Sequence, residues 1–259
     1  MGGESSTQVV GRALRLLRTV GSFEPAGVTT SEAARAAELA RPTAHRLLTT
    51  LAAEGFIDRD PVTGRWALGP ELYLLGATSA NRYDITEQAR DLVAQLARDT
   101  GESAFLSARR GDETVCVYSQ EGSFPLRSHV LHEGVRFPLG VASAGLVILA
   151  HLPDRDIDEY LARNDLQPRW GQTHRDMAIR ERISATRQTG YAVNPALIVE
   201  GSWGMGAAVF DRQEHPAWAL SITGVETRFR AQRRRDMGAL LLECAHELSL
   251  RLRRDRDPG

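Results

Sequence analysis

Apolar residues recur at helical spacing through the first hundred positions and then alternate with polar residues from Ser103 onward. The first periodic stretch, residues 7–20, predicts an amphipathic helix. Its expected inner stripe is Val10, Ala13, Leu14 and Leu17. The change of period predicts a helical N-terminal part followed by a part that contains a sheet.

A tight pair of helices follows the first one. Thr29 and Glu32 have capping-box spacing, so a short helix should begin at Thr30. After a break, Pro42 suits the first turn of a second helix, and Gly55 suits the position just past its end. Two helices joined in this way predict a helix-turn-helix.

The second helix divides into two faces at about 100° per residue. The apolar stripe, which should pack on the helices behind, consists of Ala44, Leu47, Leu48 and Leu51. The opposite face carries Pro42, His45, Arg46, Thr49, Thr50 and Ala53, and no acidic residue occurs before Glu54. A face of hydroxyls, imidazole and guanidinium without carboxylates can enter the major groove of DNA.

A short hairpin should follow the second helix directly. Residues 56–59 and 65–68 alternate like strands, and Asp60 and Gly64 supply a turn between them. A hairpin in this place is typical of a DNA-binding wing. The same outline also occurs in packing and protein-docking modules, and the 8 Arg and 8 acidic residues of residues 1–80 do not decide between them.

The rest of the chain predicts helices around a mainly antiparallel sheet, which is an α+β domain. Helices are expected at residues 70–80, 85–100, 141–152, 154–164, 174–190 and 231–254. Strands are expected at residues 103–110, 114–120, 125–130, 191–193, 203–211 and 217–225. We therefore expect a winged helix-turn-helix domain at 1–69, a linker helix at 70–84 and a second domain at 85–259.

Composition is that of an ordinary globular protein. Hydrophobic residues make up 42% and charged residues 25% of the 259 positions, and the net charge of −1 excludes a strongly basic nucleic-acid coat protein. Cys116 and Cys244 stand alone, so neither a zinc site nor a disulfide framework is expected. With no targeting core and no run of about 18 apolar residues, we expect a cytoplasmic protein without a membrane partner.

The N-terminal part resembles the winged helix-turn-helix of the IclR family of bacterial transcriptional regulators. The similar stretches are GRALRLLRTV at 11–20, TTSEAARAAEL at 29–39, RPTAHRLLTTLAAEGFIDRD at 41–60 and GRWALGPELYLLG at 64–76. The resemblance implies binding to a double-stranded, palindromic DNA operator as a homodimer or tetramer. Leu72, Leu74 and Leu75 are then either ordinary core or a dimer seam. The expected DNA contacts are Thr30, Arg41, Thr43, His45, Arg46, Thr49, Thr50 and Arg65.

The C-terminal part resembles the effector domain of the same family, which is GAF-like. The shared order is TGE at 100–102, a hairpin, a small-residue helix at 138–150, GYAV at 190–193, VFD at 209–211 and ALS-I-TG at 219–224. The chain departs at Gly140 and Leu146, where the family usually has His and Lys, and at Gly204, where it usually has Cys. The resemblance therefore implies an effector pocket but does not identify the effector.

The candidate effector residues fall into three groups, each with a plainer alternative. Small residues at a helix start leave N–H groups open to an anion, or simply let the helix pack closely: Ala142, Ser143, Ala144 and Gly145. Two side chains on one face of the predicted strand 125–130 would pair with a carboxylate, or would be solvated: Arg127 and His129. Residues on two neighbouring strands would contact a ligand or fill core: Ser202, Trp203, Met205, Ser221 and Thr223.

Catalytic patterns do not fit the sequence. Val141 breaks a GxSxG pattern around Ser143, and the glycines at 201, 204 and 206 have the wrong spacing for GxGxxG. The resemblance therefore implies a ligand-responsive regulator, with no cofactor and no metal, and together with the anion-suited helix start it implies that the effector is a small organic acid, aromatic acids included. The alternatives are a small-molecule-processing enzyme domain tethered to a DNA-binding domain, and a dimerisation domain without a ligand.

Overall fold

The computed structural model describes residues 3–80 and 85–254. The chain forms two compact units, Met1–Tyr83 and Asp84–Gly259. The last four residues of the predicted linker, 81–84, lie outside the described residues, and the predicted domain limits stay predictions. No helix among the described residues is both long and apolar enough to cross a membrane.

The first unit contains four described helices and a two-stranded hairpin. Its elements are α1 (Gly3–Gly21), α2 (Thr30–Ala36), α3 (Arg41–Ala53), β1 (Ile57–Arg59), β2 (Trp66–Leu68) and α4 (Pro70–Ala80). The predicted capping box is confirmed, since the Glu32 amide donates to the Thr29 hydroxyl at 3.3 Å and the Thr29 amide donates to the Glu32 carboxylate at 2.9 Å. The predicted inner stripe of α3 is also confirmed, because Ala44, Leu47 and Leu48 are buried.

The predicted inner stripe of α1 is correct at Ala13 and Leu17, which pack against the unit's core, and wrong at Val10 and Leu14. Val10 and Leu14 are 57% and 46% exposed, whereas Leu16 and Val20 are fully buried. The apolar residues of α1 form one broad stripe. The unit's core takes the side of this stripe that contains Leu16 and Val20, and the edge that carries Val10 and Leu14 stays exposed.

The second unit is built around an antiparallel sheet, as predicted. Its helices are α5 (Ile85–Thr100), α6 (Ser143–Ala150), α7 (Asp154–Arg163), α8 (Gln167–Trp170), α9 (Asp176–Thr189) and α10 (Ala231–Arg254). Its strands are β3 (Ser103–Arg110), β4 (Glu113–Gln120), β5 (Arg136–Pro138), β6 (Tyr191–Pro195), β7 (Ser202–Phe210) and β8 (Pro216–Val225). Within the described residues the strand order is β5-β4-β3-β8-β7-β6, and each neighbouring pair is antiparallel.

Alternate residues of the sheet face two separate cores. Leu106, Met205 and Leu220 pack with the buried faces of α5 and α10. On the other side, Ala192, Ala208 and Ala219 pack with α6, whose eight residues are all buried. Small residues dominate this second side, and they let α6 approach the sheet closely.

The strand predicted at 125–130 is wrong. Residues 136–138 occupy the edge beside β4 instead, and the pairing continues as the amide of Cys116 donates to the Val135 carbonyl at 3.0 Å. A turn at Gly134, with φ of 85°, then leads the preceding chain away from β4. Residues 125–130 therefore form an irregular segment, in which Leu126 is 63% exposed.

Leucine-to-alanine substitutions should distinguish a core position from a position in the irregular segment 125–130. Leu106→Ala should lower the free energy of unfolding of the second unit by about 2–5 kcal/mol, because Leu106 is fully buried. Leu126→Ala, the matched control, should change it by less than about 0.5 kcal/mol. Denaturant unfolding followed by circular dichroism measures both. A large loss of stability in the Leu126 variant would contradict the irregular, exposed segment.

Candidate functional site

The outward face of α3 is exposed, and its side chains make no contact with a charged group elsewhere in the described part of the first unit. The side chains of Arg41, His45 and Arg46 are exposed, and they make no hydrogen bond or ion pair within residues 3–80. The hydroxyls of Thr49 and Thr50 donate to carbonyls one turn earlier, at 2.9 and 3.0 Å, and keep their lone pairs outward. The two guanidinium groups have no carboxylate beside them on this face, and the opposite face of α3 packs in the core. Such a surface suits an anionic partner that forms hydrogen bonds.

Three other residues predicted to contact DNA are only partly exposed. Thr43 is half-buried at the first turn of α3. The hydroxyl of Thr30 accepts a hydrogen bond of 2.9 Å from the indole N–H of the buried Trp66. Arg65 donates to the Gly27 carbonyl at 3.0 Å and lies 3.7 Å from the Glu32 carboxylate. Thr30 and Arg65 therefore attach the hairpin to the start of α2.

The carboxylates in this region are held in place locally. Hydrogen bonds from the backbone and hydroxyl of Thr29, with a smaller contribution from Arg65, lower the pKa of Glu32. In the hairpin turn, the Thr63 backbone and hydroxyl and the Val62 amide hydrogen-bond to Asp60 and lower its pKa. Glu32 belongs to the start of α2 and Asp60 to the hairpin turn, so neither carboxylate is on α3 itself.

The second unit contains a narrow, mostly buried cavity between the sheet and the start of α6. Its lining residues are Ser107, Thr114, Cys116, Val130, Leu131, Val135, Phe137, Ala142, Ser143, Ala144, Asn194, Ile198, Ser202, Trp203, Gly204, Ser221 and Thr223. Its volume is about 30 Å³, room for about two water molecules. None of the described lining residues is charged. Eight have a hydroxyl, amide or thiol side chain, and a ninth is a tryptophan.

The start of α6 reaches the cavity because β7 has glycines beneath it. A Cβ at Gly204 would lie 3.2 Å from the Ser143 hydroxyl, and one at Gly206 would lie 3.2 Å from the Ser143 backbone. Ala142 occupies the N-cap position and has no side-chain oxygen, so no side chain caps the helix. The first backbone N–H groups of α6 are thus available to an anion, and the helix dipole favours one.

Unpaired hydroxyls complete the polar side of the cavity. Ser221 and Thr223 are at most 9% exposed, and their hydroxyl oxygens have no hydrogen-bond partner within the described residues. A buried hydroxyl without a partner costs about 1–3 kcal/mol, so a ligand or ordered water is expected there. Asn194 donates to the Val141 carbonyl at 2.7 Å and accepts from the Leu197 amide at 3.1 Å, so it fixes the chain just before α6.

The structure brings seven of the eleven predicted effector residues to the cavity. They are Ala142, Ser143, Ala144, Ser202, Trp203, Ser221 and Thr223. The ring of Trp203 packs away from it, 6.1 Å from the Phe229 ring and 5.1 Å from the Arg234 guanidinium. Met205 lies on the opposite face of the sheet, because side chains alternate along β7.

The other three predicted residues also lie outside the cavity. Gly145 provides close packing, since a Cβ there would lie 3.1 Å from the Leu139 backbone. Arg127 and His129 do not share a strand face, because their segment is irregular; they line a shallow outer groove instead. Sequence reasoning missed Ser107, Thr114, Cys116 and Asn194. The alternation of the β3–β4 hairpin could have indicated the first three, since Ser107 pairs with Cys116.

Neither thiol nor metal chemistry is indicated in the described part of the chain. Cys116 and Cys244 are buried and unpaired, and burial raises their pKa to about 12 and about 11. Within residues 3–80 and 85–254, no group of three His, Cys, Asp or Glu side chains could hold a metal ion.

Two family models match the chain. The model described as "IclR helix-turn-helix domain" matches residues 9–61, and the model described as "Bacterial transcriptional regulator IclR C-terminal" matches residues 77–250. Among curated proteins, the HTH-type transcriptional regulator BhcR of Paracoccus denitrificans is 29% identical over 262 residues, which cover 100% of this chain and 93% of that protein.

Solved structures share the same fold. The IclR of Thermotoga maritima is 26% identical and superposes with a TM-score of 0.71 over 95% of this chain and 99% of its own. An IclR homologue of Microbacterium hydrocarbonoxydans, solved in complex with 4-hydroxybenzoate, is 22% identical, with a TM-score of 0.75 over 95% and 99% of the two chains. At that lower identity the likeness concerns the fold alone.

Removal of the Thr30 hydroxyl tests its structural role. Thr30→Val should destabilise the first unit by about 1–3 kcal/mol, because the buried indole N–H of Trp66 would lose its acceptor. Thr49→Val, the same change at an exposed position of α3, should cost less than about 1 kcal/mol. Unfolding followed by Trp fluorescence measures both. Equal stability of the two variants would mean that Thr30 does not hold the hairpin.

Proposed function

Because the chain belongs to the IclR family of bacterial transcriptional regulators, with its DNA-binding and effector-binding domains, we propose that a dimer binds a palindromic operator under the control of a small organic acid. Relatives are named as regulators or repressors and not as enzymes. The observation that carries the proposal is the exposed, acid-free face of α3 in a chain that also holds a polar, buried cavity.

The first step of the proposal concerns α3 in the major groove. Arg41 and Arg46 are exposed and unpaired within the described residues, so DNA binding breaks no ion pair of the protein. Arg46 suits a bidentate contact to guanine, and His45, Thr49 and Thr50 suit base edges or phosphates. Thr43, half-buried at the helix start, suits a backbone phosphate. Thr30 and Arg65 act through the position of the hairpin, which would form the wing.

The second step concerns the dimer. Val10 and Leu14 on α1 are exposed, and Tyr73, Leu74 and Leu75 on α4 are 78%, 56% and 48% exposed. Large apolar side chains on two helices of one small unit are typical of a protein interface. A dimer seam on α1 or α4 would suit a palindromic site, in which the two copies of α3 lie about one helical turn of DNA apart, about 34–36 Å.

The third step concerns the effector. The uncapped start of α6 and the unpaired hydroxyls of Ser221 and Thr223 can bind a carboxylate without a charged side chain. Val130, Phe137 and Ile198 offer apolar contact for the remainder of the molecule. An aromatic acid bound to a homologue of the same fold supports this class of ligand. Such a ligand would change the DNA-competent population with a coupling of about 1–3 kcal/mol.

Arg46→Ala should weaken binding to DNA from upstream of the protein's own gene by about 1–3 kcal/mol, because a bidentate base contact is lost. Arg155→Ala, which removes an arginine side chain that is 83% exposed in the other unit, should leave affinity unchanged. Fluorescence anisotropy with labelled DNA measures both. Equal weakening by Arg46→Ala on specific and random DNA would reassign Arg46 to a phosphate contact.

Thr223→Val tests the carboxylate site. The variant keeps the side-chain shape and should raise the Kd of a bound carboxylate about tenfold, because one hydrogen bond to a charged group is lost. Thr189→Val, at an exposed position of α9, is the control. Calorimetry with 4-hydroxybenzoate and with two- to four-carbon carboxylates provides the data. Tight binding of a neutral sugar with no carboxylate binding would sink the organic-acid proposal.

A further inference from the structure

Two irregular segments close the effector cavity, and a hydrogen bond between two serine hydroxyls joins them. We call residues 121–135 and 196–201 the gate segments. Val130 and Leu131 of the first and Ile198 of the second line the cavity. Ser128 and Ser202 are separated by 74 positions in the chain, and their hydroxyl oxygens lie 2.5 Å apart. Ser202 begins β7, so the bond ties the first gate segment to the sheet beside the second.

An open groove lies on the outer side of this serine pair. Its lining residues are Arg127, Ser128, His129, Val130, Val199, Glu200, Gly201, Ser202 and Val225. Val130 and Ser202 line both the groove and the cavity. The serine pair therefore stands at the boundary between a surface accessible to solvent and the buried space.

The cavity must enlarge before it can hold an effector. Its volume is about 30 Å³, whereas a cavity that holds one benzene ring has a volume of about 150 Å³. Even a short carboxylate is larger than the two water molecules for which there is room. If the proposed function holds, some wall of the cavity moves when the effector enters.

The first gate segment is the wall with the weakest support, whereas the second is held by backbone hydrogen bonds at Val199 and Gly201. Strands β3, β4, β7 and β8 are held by continuous pairing, and α6 is buried on all sides. By contrast, among the described residues no backbone–backbone hydrogen bond involves residues 125–131. Segments with few such bonds open at low free-energy cost.

The second gate segment has unusual backbone at both ends. Ala196 has φ of 57° and Gly201 has φ of 75°. A left-handed conformation is unfavourable for alanine, so closure of this segment holds some strain. Asn194 binds the Leu197 amide and also the Val141 carbonyl, which precedes α6, so it links this segment to the proposed anion site.

From these observations we infer that the effector enters between the gate segments, and that the Ser128–Ser202 hydrogen bond is the latch that keeps this entrance narrow without a ligand. This inference rests on the proposed function for the identity of the entering molecule. The groove is then the entrance, where the Arg127 side chain, paired with Glu121, and the exposed His129 meet an incoming anion.

Two native cysteines make the latch measurable without knowledge of the effector. Cys116 lines the cavity, whereas Cys244 lies in the separate core between the sheet and α10. Modification of Cys116 by the small reagent methyl methanethiosulfonate therefore reports opening of the cavity. Modification of Cys244 reports general unfolding of the unit and serves as an internal control. Peptide mass spectrometry at pH 8 follows the two rates separately.

Ser128→Ala and Ser202→Ala should each accelerate modification of Cys116 by about 3- to 10-fold, the effect of one lost hydrogen bond on the opening equilibrium. The rate at Cys244 should not change. Ser184→Ala, at an exposed position of α9, should change neither rate. An unchanged Cys116 rate in both latch variants would overturn the inference. Parallel acceleration of both cysteines would also overturn it, because that pattern indicates general loosening.

A reversible lock provides the opposite test. In the Ser128→Cys, Ser202→Cys double variant, oxidation should join the gate segments and slow modification of Cys116 below the rate of the unaltered protein. Reduction should restore it. Equal Cys116 rates before and after verified oxidation would contradict entry between the gate segments.

Failure of the latch and failure of the proposed function give different results. If 4-hydroxybenzoate and short carboxylates do not protect Cys116, while the latch variants still change its rate, the gate stands and the ligand class is wrong. If a carboxylate protects Cys116 and the latch variants have no effect, the effector class stands and the latch is wrong.

Discussion

The close approach of α6 to the bare backbone of β7 is the constraint on which the second unit depends. Gly204 and Gly206 lie beneath the first residues of the helix, where a Cβ would come within 3.2 Å of Ser143. A Cβ at either position would require Ser143 to shift by a few tenths of an ångström, which would change the distance between the first N–H groups of α6 and the hydroxyls of β8. The cavity, its uncapped amides and its neutral polar lining all follow from this contact.

The two candidate sites share a physical property. The cavity contains buried hydroxyls without partners, and α3 presents arginines without partners, within the residues that the structure describes. The buried hydroxyls carry the stronger argument, because each costs about 1–3 kcal/mol unless a ligand or water satisfies it. Exposed arginines without an ion pair also occur outside α3 among the described residues, as at Arg15, Arg98 and Arg175, so α3 is distinguished by the absence of acidic residues from its outward face.

Local signals in the sequence predicted the helix-turn-helix, the hairpin and the sheet. The capping box at Thr29 and the proline and glycine at the ends of α3 act within a few residues, so they can be read directly. Non-local features were missed. The edge of β4 pairs with residues 136–138. No local pattern at 125–130 shows that another segment already pairs with this edge.

It was also hard to predict which face of a strand or helix packs into which core. Alternation along β7 places Gly204 towards α6 and Met205 towards α10, but a period of two does not state which side holds the cavity. In α1, the broad apolar stripe did not show which of its edges would enter the core. Tertiary packing selected Leu16 and Val20, and left Val10 and Leu14 exposed.

The most direct test of the account is the affinity of the purified protein for the DNA upstream of its own gene, compared with random DNA of equal length, at two salt concentrations. A specific regulator should prefer its own DNA by about a thousandfold or more and should lose affinity as salt rises. Weak and equal binding to both DNAs, with and without carboxylates that bind the second unit, would contradict the central claim that this chain is a sequence-specific regulator.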